Sequence, residues 1–525
     1  MKRILKTVLL PLLLILAMSG CKKNFQELTI NNNKPNAVPA SLLFNGILND
    51  MTDQPGGNDE IWSQYYIYNY DYYGNNRYDF TAGNTYYTTL INVQNMENQA
   101  KLSGSALVNP YSAMGKFFRA YFFSQMSLEM GDIAMTQALK GSANLTPVYD
   151  TQKMVMQQCL ALLDAANTDL TTLISAGTAT IDGDIYFNGD LQKWQKVINT
   201  YHIRLLVELS KKASDPDLNV PAAFAAILGS PDKYPLMTSN ADNMQYNFVA
   251  PTNYYPDNID NFGQTGSRKN SSATYIGLLT SFSDPRVFVT AEPSRYQVDT
   301  LHMSPTSFGA FVGADPGTDL GTMYSNAGLQ RYSFLNRKRY YSTYVGEPSI
   351  QIGFPELQFN IAEGINHGWA GGNAETYYKS GILSSMASYG IPVSGSFTAY
   401  FYKPGAAGVS IASNYDAFAI NFDFPTYYSN AAIQYADGAN GLMQILQQKY
   451  LAMFRHSGLE SYYSQRRTGV PVFTTGPGTG NGSRIALRFQ YPTSEITANT
   501  VNYKAALQSQ YGGNDDINGV MFILK

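Results

Sequence analysis

Charge is what this chain has least of for its size. Charged residues make up 14% of its 525 residues, against roughly 25% in an average globular chain, and 36 Lys plus Arg stand against 39 Asp plus Glu. No run of lysines or arginines follows one face, so a phosphate backbone would meet neither a basic excess nor a basic stripe, and no nucleic-acid partner is expected. Histidine is scarce too. His202, His302, His367 and His456 stand singly, with no H-E-x-x-H or comparable metal spacing, and the chain lacks a G-x-S-x-G elbow, a P-loop and a G-x-G-x-x-G, even within the glycine-rich "GPGTGNGS". These absences point to no catalytic residues, no metal and no cofactor. Asp182, Asp184 and Asp190 crowd together in "DGDIYFNGD" but without EF-hand spacing. A glycosidase's two carboxylates come from distant segments, so a hydrolase stays open as the alternative.

Cysteine is nearly missing, and the one long apolar run is confined to the start. "MKRILK" brings three positive charges and "TVLLPLLLILAM" about a dozen apolar residues, too short for a permanent membrane span and suited to an export signal. The run ends in "MSGC", which resembles the box cut by the bacterial lipoprotein signal peptidase, so residues 1–20 read as a signal peptide and Cys21 as the lipidated residue. Cys159 is then the only thiol left, which excludes an intramolecular disulfide in an exported chain. It lies in an apolar helical pattern and reads as a small buried hydrophobe. Residues 21–40, rich in Asn, Lys and Pro and without amphipathic period, suit a tether between lipid and folded body.

From Ser41 to Lys525 a single domain is expected. In "TQKMVMQQCLALLDAANTDLTTL" the apolar positions Val155, Cys159, Leu162, Leu163, Ala166, Leu170 and Leu173 recur at three- and four-residue steps, with Asp150 placed to cap the start. Trp194, Val197, Ile198, Tyr201, Leu205 and Leu209 repeat the pattern, and "PELQFNIAEGINHGWAGGNAETYYKSGILSSMASYG" reads as two helices broken at Gly371-Gly372. Paired helices with short turns suggest a mostly α fold of tetratricopeptide-like hairpins, with helical scaffold mainly in 41–213, 350–390 and 440–510. Residues 214–349 and 391–439 are loaded with Gly, Pro, Asn, Ser and Tyr and read as loop-rich segments, ordered because of their aromatic content. "RYSFLNRKRYY", from Arg331, alternates bases and aromatics and reads as a strand near a ligand or partner. Arg466 and Arg467 read as scaffold, bonding carbonyls at a helix end or buried carboxylates.

Five blocks in order, "AYFFSQMSLEMGDIAMTQALKG...LTPVYDTQ" from Ala120, "GDIYFNGDLQKWQKVINTYHIRLLVELS" from Gly183, "AEGINHGWAGGNAETYYKSGILSSMASYG" from Ala362, "QKYLAMFRHSGLESYYSQRRTGVPVF" from Gln448 and "RFQYPTSEITANTVNYKAAL" from Arg488, resemble the SusD/RagB family of outer-membrane nutrient-binding lipoproteins of Bacteroidota. The resemblance implies a SusD-like fold with a helical scaffold and a ligand face of loops and short strands. It further implies a lipid-anchored protein at the outer membrane, facing the cell exterior, that partners a SusC-like TonB-dependent barrel and captures oligosaccharide, or peptide in the RagB manner.

What the chain has in quantity is tyrosine, 40 in all, seven of them within "YYIYNYDYYGNNRY" from Tyr65 to Tyr78. A sugar ring shows C–H bonds on its face and hydroxyls at its rim, so a glycan site needs flat apolar plates beside neutral hydrogen-bonding groups. Tyrosine supplies both with few rotors to freeze. Trp62, Tyr72, Tyr73 and Tyr78 are accordingly candidate plates, and Asn75, Asn76 and Arg77 candidate rim partners, with Tyr254 and Tyr255 in a second aromatic loop. Trp62, Tyr65, Tyr66 and Asn69 fall at helical spacing, so the earlier half of the cluster reads as core and the later half, past the turn at Gly74, as the ligand face. Capture of a neutral sugar would be nearly independent of salt, whereas a steep salt dependence would mark a charged glycan or a peptide.

Overall fold

The computed structural model describes residues 38–177 and 180–525; the signal segment, Cys21 and most of the tether lie outside the described residues. Among the described residues, thirteen helices of nine residues or more form the frame. They are α1 (Ala40–Asp50), α2 (Tyr87–Leu102), α3 (Pro110–Met130), α4 (Gln152–Ser175), α5 (Leu191–Glu208), α6 (Val220–Gly229), α7 (Ala273–Ser281), α8 (Leu320–Gly328), α9 (Phe354–Asn366), α10 (Ala374–Ser388), α11 (Ala439–Ala452), α12 (Glu460–Thr468) and α13 (Thr500–Tyr511). Strands are fewer and form three two-stranded antiparallel sheets: β1 (Tyr66–Tyr68) with β3 (Lys269–Ser271), β2 (Met244–Tyr246) with β4 (Ser349–Ile352), and β5 (Ser394–Tyr402) with β6 (Tyr415–Asp423).

Apolar periodicity explains the frame. Val155, Cys159, Leu163, Ala166, Leu170 and Leu173 form the buried stripe of α4, and Leu162 flanks it half-buried. Trp194, Val197, Ile198, Tyr201 and Leu205 do the same for α5. From α1 to α6 most helices pack on the next in sequence, and α9, α10 and α11 make a second packed group, with α9 also touching α5. This is the hairpin stacking expected of the periodic segments. The cap of α4 falls one residue later than expected: the Thr151 side chain accepts from Met154 N–H at 3.3 Å. Asp150 instead bridges Ile133 through its backbone, and its carboxylate gathers Met135 N–H, Thr136 N–H and Thr136 Oγ1.

Among the described residues two large apolar cores result, with a small third cluster of Ile67, Ala314 and Met323 between β1 and α8. One is shared by α1 to α6; the other lies among α7, α9, α10, α11 and the β5–β6 hairpin. Segment 391–439, expected to be loop-rich, holds the longest strand pair, running in register from Ser394 opposite Asp423 to Tyr402 opposite Tyr415. Its alternation is plain once paired: Ala399, Phe401 and Ile420 are buried while Thr398, Tyr400 and Ala419 face solvent. "RYSFLNRKRYY" likewise differs from the strand expected of it. Phe334 and Leu335 make single bridges, Asn336 caps a short helix Arg337–Tyr340, and Tyr340 and Tyr341 are buried.

Interior arginines find carbonyls or carboxylates. Arg466 donates to the carbonyls of Leu487, at 3.0 Å, and Leu128, and Arg467 meets Glu363 at 2.5 Å, both as expected of scaffold arginines. Three carboxyls carry a pH consequence, and the first is Asp53, which burial, with the Asp59 carboxylate nearby, pushes up to about 8. Burial pushes Glu129 up to about 7 even though it accepts from Asn84, and burial likewise pushes Glu460 up to about 7 against the pull of Arg204. Each folded-state pKa exceeds its unfolded value, so the folded state binds more protons near neutrality and stability falls as pH rises through about 7. Desolvation holds buried His202 and half-buried His456 down at about 4, so they cost stability only as pH falls below the ordinary histidine range, leaving the interval from 6.5 to 8 to the carboxyls. The melting temperature is expected to be roughly 3 °C lower at pH 8 than at pH 6.5. Calorimetry across that interval checks it, and a rise would contradict the sign.

Candidate functional site

The segment after β1 is folded back on itself by one side chain. Asn76 Oδ1 accepts from Tyr68 N–H at 2.8 Å and its Nδ2 donates to Tyr68 O at 2.8 Å, closing residues 69–75 into a loop. Gly74 makes the turn at φ +157°, where a Cβ would lie 2.5 Å from the Tyr68 ring, so the turn sits directly on that ring. The base of the loop is fixed to the segment before β3. Asn69 N–H donates to Arg268 O at 3.0 Å, and Asn69 Nδ2 donates to Ser267 O at 2.9 Å.

A loop so fastened displays its rings. Tyr72 is 81% exposed, Tyr70 and Tyr73 are partly exposed, and Tyr324 of α8 joins them with its centroid 5.5 Å from Tyr70. Tyr72 and Tyr73 meet edge-on at 5.2 Å, and Tyr70 lies 6.1 Å from Tyr73. The Arg268 guanidinium stands 5.1 Å from the Tyr70 centroid, 5.8 Å from Tyr73 and 6.0 Å from Tyr324. Beside this platform opens a cavity of about 540 Å³, to which Tyr324 and Arg268 contribute together with Asn69, Arg295, Tyr402 and Lys403. It is lined by neither aspartate nor glutamate. Such an arrangement can stack a flat apolar face and offer N–H and O–H donors to its rim, but it presents no carboxylate pair for acid–base chemistry.

The sequence-derived candidates divide sharply. Tyr72 and Tyr73 stand on the platform, and Asn75 and Arg77 are exposed at its loop, with Asn75 Oδ1 taking the Arg77 N–H and Arg77 paired to Asp79. Tyr78 and Asn76 do not belong to the ligand face. Tyr78 is 1% exposed and donates its hydroxyl to Trp62 O at 2.8 Å, and the Asn76 amide is spent on the Tyr68 backbone. Trp62 is half-buried against Phe80 and Phe489, with centroids at 4.6 and 5.4 Å, and packs on the core. In the second aromatic loop Tyr254 is exposed and stacks on Tyr344 at 4.5 Å, whereas Tyr255 is 0% exposed, beneath Arg455, and is corrected to a core residue. Trp62 ends a short helix, Asn58–Trp62, whereas in residues 75–80 and at 254–255 alternation sends neighbouring side chains to opposite sides, so runs of tyrosine split between core and surface.

Sequence reading missed Tyr324, Arg268 and the rest of the cavity lining, which arrive from distant segments. Tyr324 carried one signal, the capping residue Asp319, which accepts from Thr322 N–H and starts α8 inside a stretch otherwise read as loop. The Asp182–Asp190 cluster is spent on the scaffold: Asp184 accepts from the N–H groups of Tyr186, Phe187 and Gly189 and from Trp194 Nε1, and Asp190 caps α5. Cys159 is buried, and burial raises its thiol pKa well above the ordinary value.

A helical-hairpin frame bearing a loop-built face is the class these features define. A family model described as SusD-like, "Starch-binding associating with outer membrane", matches residues 32–492, and the chain belongs to that family. A SusD homologue from Bacteroides fragilis is similar at 30% identity over 93% of this chain and 100% of its own, with a TM-score of 0.79. A second homologue from that species is similar at 28% identity over 93% and 99%, with a TM-score of 0.75. A chitin-binding SusD homologue from Flavobacterium johnsoniae shares the fold at 20% identity, covering 93% and 98%, with a TM-score of 0.67. Among curated proteins nothing matches the chain. No described helix is long and apolar enough to cross a membrane.

Proposed function

We propose that the platform of Tyr70, Tyr72, Tyr73 and Tyr324 with the adjoining cavity captures oligosaccharide at the outer membrane, and that the chain passes it unaltered to a SusC-like TonB-dependent barrel. The observation that carries the reading is four tyrosines from two segments held at one face around an arginine. Family membership supports the glycan as ligand class. The absence of carboxylates from the cavity lining supports binding without cleavage there. Lipidation at Cys21 and a single folded domain from Ser41 onward would place the face near the transporter, where a high local ligand concentration makes modest affinity sufficient.

A panel of immobilised glycans tests the reading with the purified protein. Retention on at least one polysaccharide gel, with no reducing ends released over time, is expected. Steady release of reducing ends would replace capture by hydrolysis. Retention on peptides alone would replace sugar by peptide.

A further inference from the structure

The cavity beside the platform is cationic. Four of its lining residues, Arg268, Arg295, Arg337 and Lys403, carry positive charge, and none carries negative charge. Three of these cations have carboxylates of their own: Arg295 pairs with Asp299, Arg337 meets Glu292 at 2.5 Å, and Lys403 lies 3.6 Å from Asp416. Arg268 differs from them. Its guanidinium donates to no acceptor among the described residues, its Nε is buried without a partner, and what holds it are the faces of Tyr70, Tyr73 and Tyr324.

Cation–π contact holds a guanidinium against ring faces and consumes none of its N–H groups. Arg268 is therefore oriented yet unspent. Two parallel N–H donors in a fork match two oxygens of one anion, and no carboxylate lines the cavity to compete for them. The tyrosines beside the fork meet a ring face, and the fork meets a charged substituent on the same ring.

We propose that the glycan taken at this face is acidic, bearing on its sugar a carboxylate or a sulfate ester that Arg268 receives in bidentate fashion. The inference rests on the glycan-capture reading and departs from the neutral ligand that the sparse charge of the whole chain suggests. Composition averages over the surface, whereas a site is decided by the few groups that line it.

Titration calorimetry with three oligosaccharides of matched length tests it: an oligogalacturonate, a sulfated galactan fragment and a neutral glucan. One of the two acidic probes is expected to bind at least about tenfold more tightly than the neutral one, and which of them does so identifies the anion. Its affinity should fall as ionic strength rises, a measurement that needs no variant. Arg268→Gln should weaken it about tenfold or more, and Arg268→Lys should recover only part, since charge returns without the fork. Binding of the neutral probe as tight as that of either acidic one, unaffected by salt and by Arg268→Gln, would overturn the acidic ligand and leave glycan capture standing. Failure of all three to bind would overturn the acidic ligand, and failure of the whole immobilised glycan panel as well would overturn glycan capture.

Discussion

Arg286→Met is expected to destabilise the protein by about 3–5 kcal/mol, the cost of stranding a buried carboxylate. Both Arg286 and Asp284 are wholly buried, and the arginine meets Asp284 through Nε at 2.9 Å and Nη2 at 2.7 Å. Its remaining donors reach Ser385 Oγ at 3.0 Å and Gln448 Oε1 at 2.6 Å, tying the segment before the short helix Val287–Thr290 to α10 and α11. The methionine would fill most of the volume, so the loss is chiefly electrostatic. Asp284 would keep the Tyr427 hydroxyl, at 2.6 Å, and lose the cation paired with it. Adding Asp284→Asn should return a substantial part of the stability, because the stranded charge is then gone, and the double-mutant cycle isolates the coupling. Urea denaturation reads all three variants. A single variant within about 1 kcal/mol of wild type would mean that water or local rearrangement satisfies Asp284, contrary to the close-packed surroundings.

That cluster illustrates which parts of this fold the sequence discloses. Stripes such as Val155 to Leu173 in α4 or Trp194 to Leu205 in α5 are one-dimensional signals, and burial follows them residue by residue. The partners of Arg286 come from position 284 and from 99 and 162 residues further along, a separation that no local pattern encodes. The hairpin of β5 and β6 was legible and obscured at once. "SGSFTAYFY" alternates with a period of two, but the Gly, Pro and Asn between the strands suggested loop throughout. At the candidate site the same limit separates Tyr72 from Tyr78. Both stand in one tyrosine-rich run, yet whether a ring faces solvent depends on the Asn76 clamp and on the Phe80 and Phe489 rings, which become neighbours only when the chain is folded.

Replacing Tyr72, Tyr73 and Tyr324 together with alanine should remove oligosaccharide binding while leaving the fold intact. Each ring is expected to contribute on the order of 1 kcal/mol by its face beyond the area it covers, so losing three weakens capture by more than about a hundredfold. The stability cost is small because Tyr72 is 81% and Tyr324 48% exposed, and surface substitutions away from packed features lie mostly within about 0.5 kcal/mol. Tyr78→Ala makes the opposing control. Its ring is buried beside Phe80, at a centroid distance of 5.8 Å, and its hydroxyl holds Trp62 O, so removing it should cost about 3–5 kcal/mol. Thermal melts and calorimetric titration on both variants separate display from packing: the triple variant should lose ligand and keep its melting temperature, and Tyr78→Ala should lose several degrees. Undiminished affinity in the triple variant would remove the platform from the site and leave Phe262 and Tyr402, which pack at 5.6 Å and line the same cavity, as its rings.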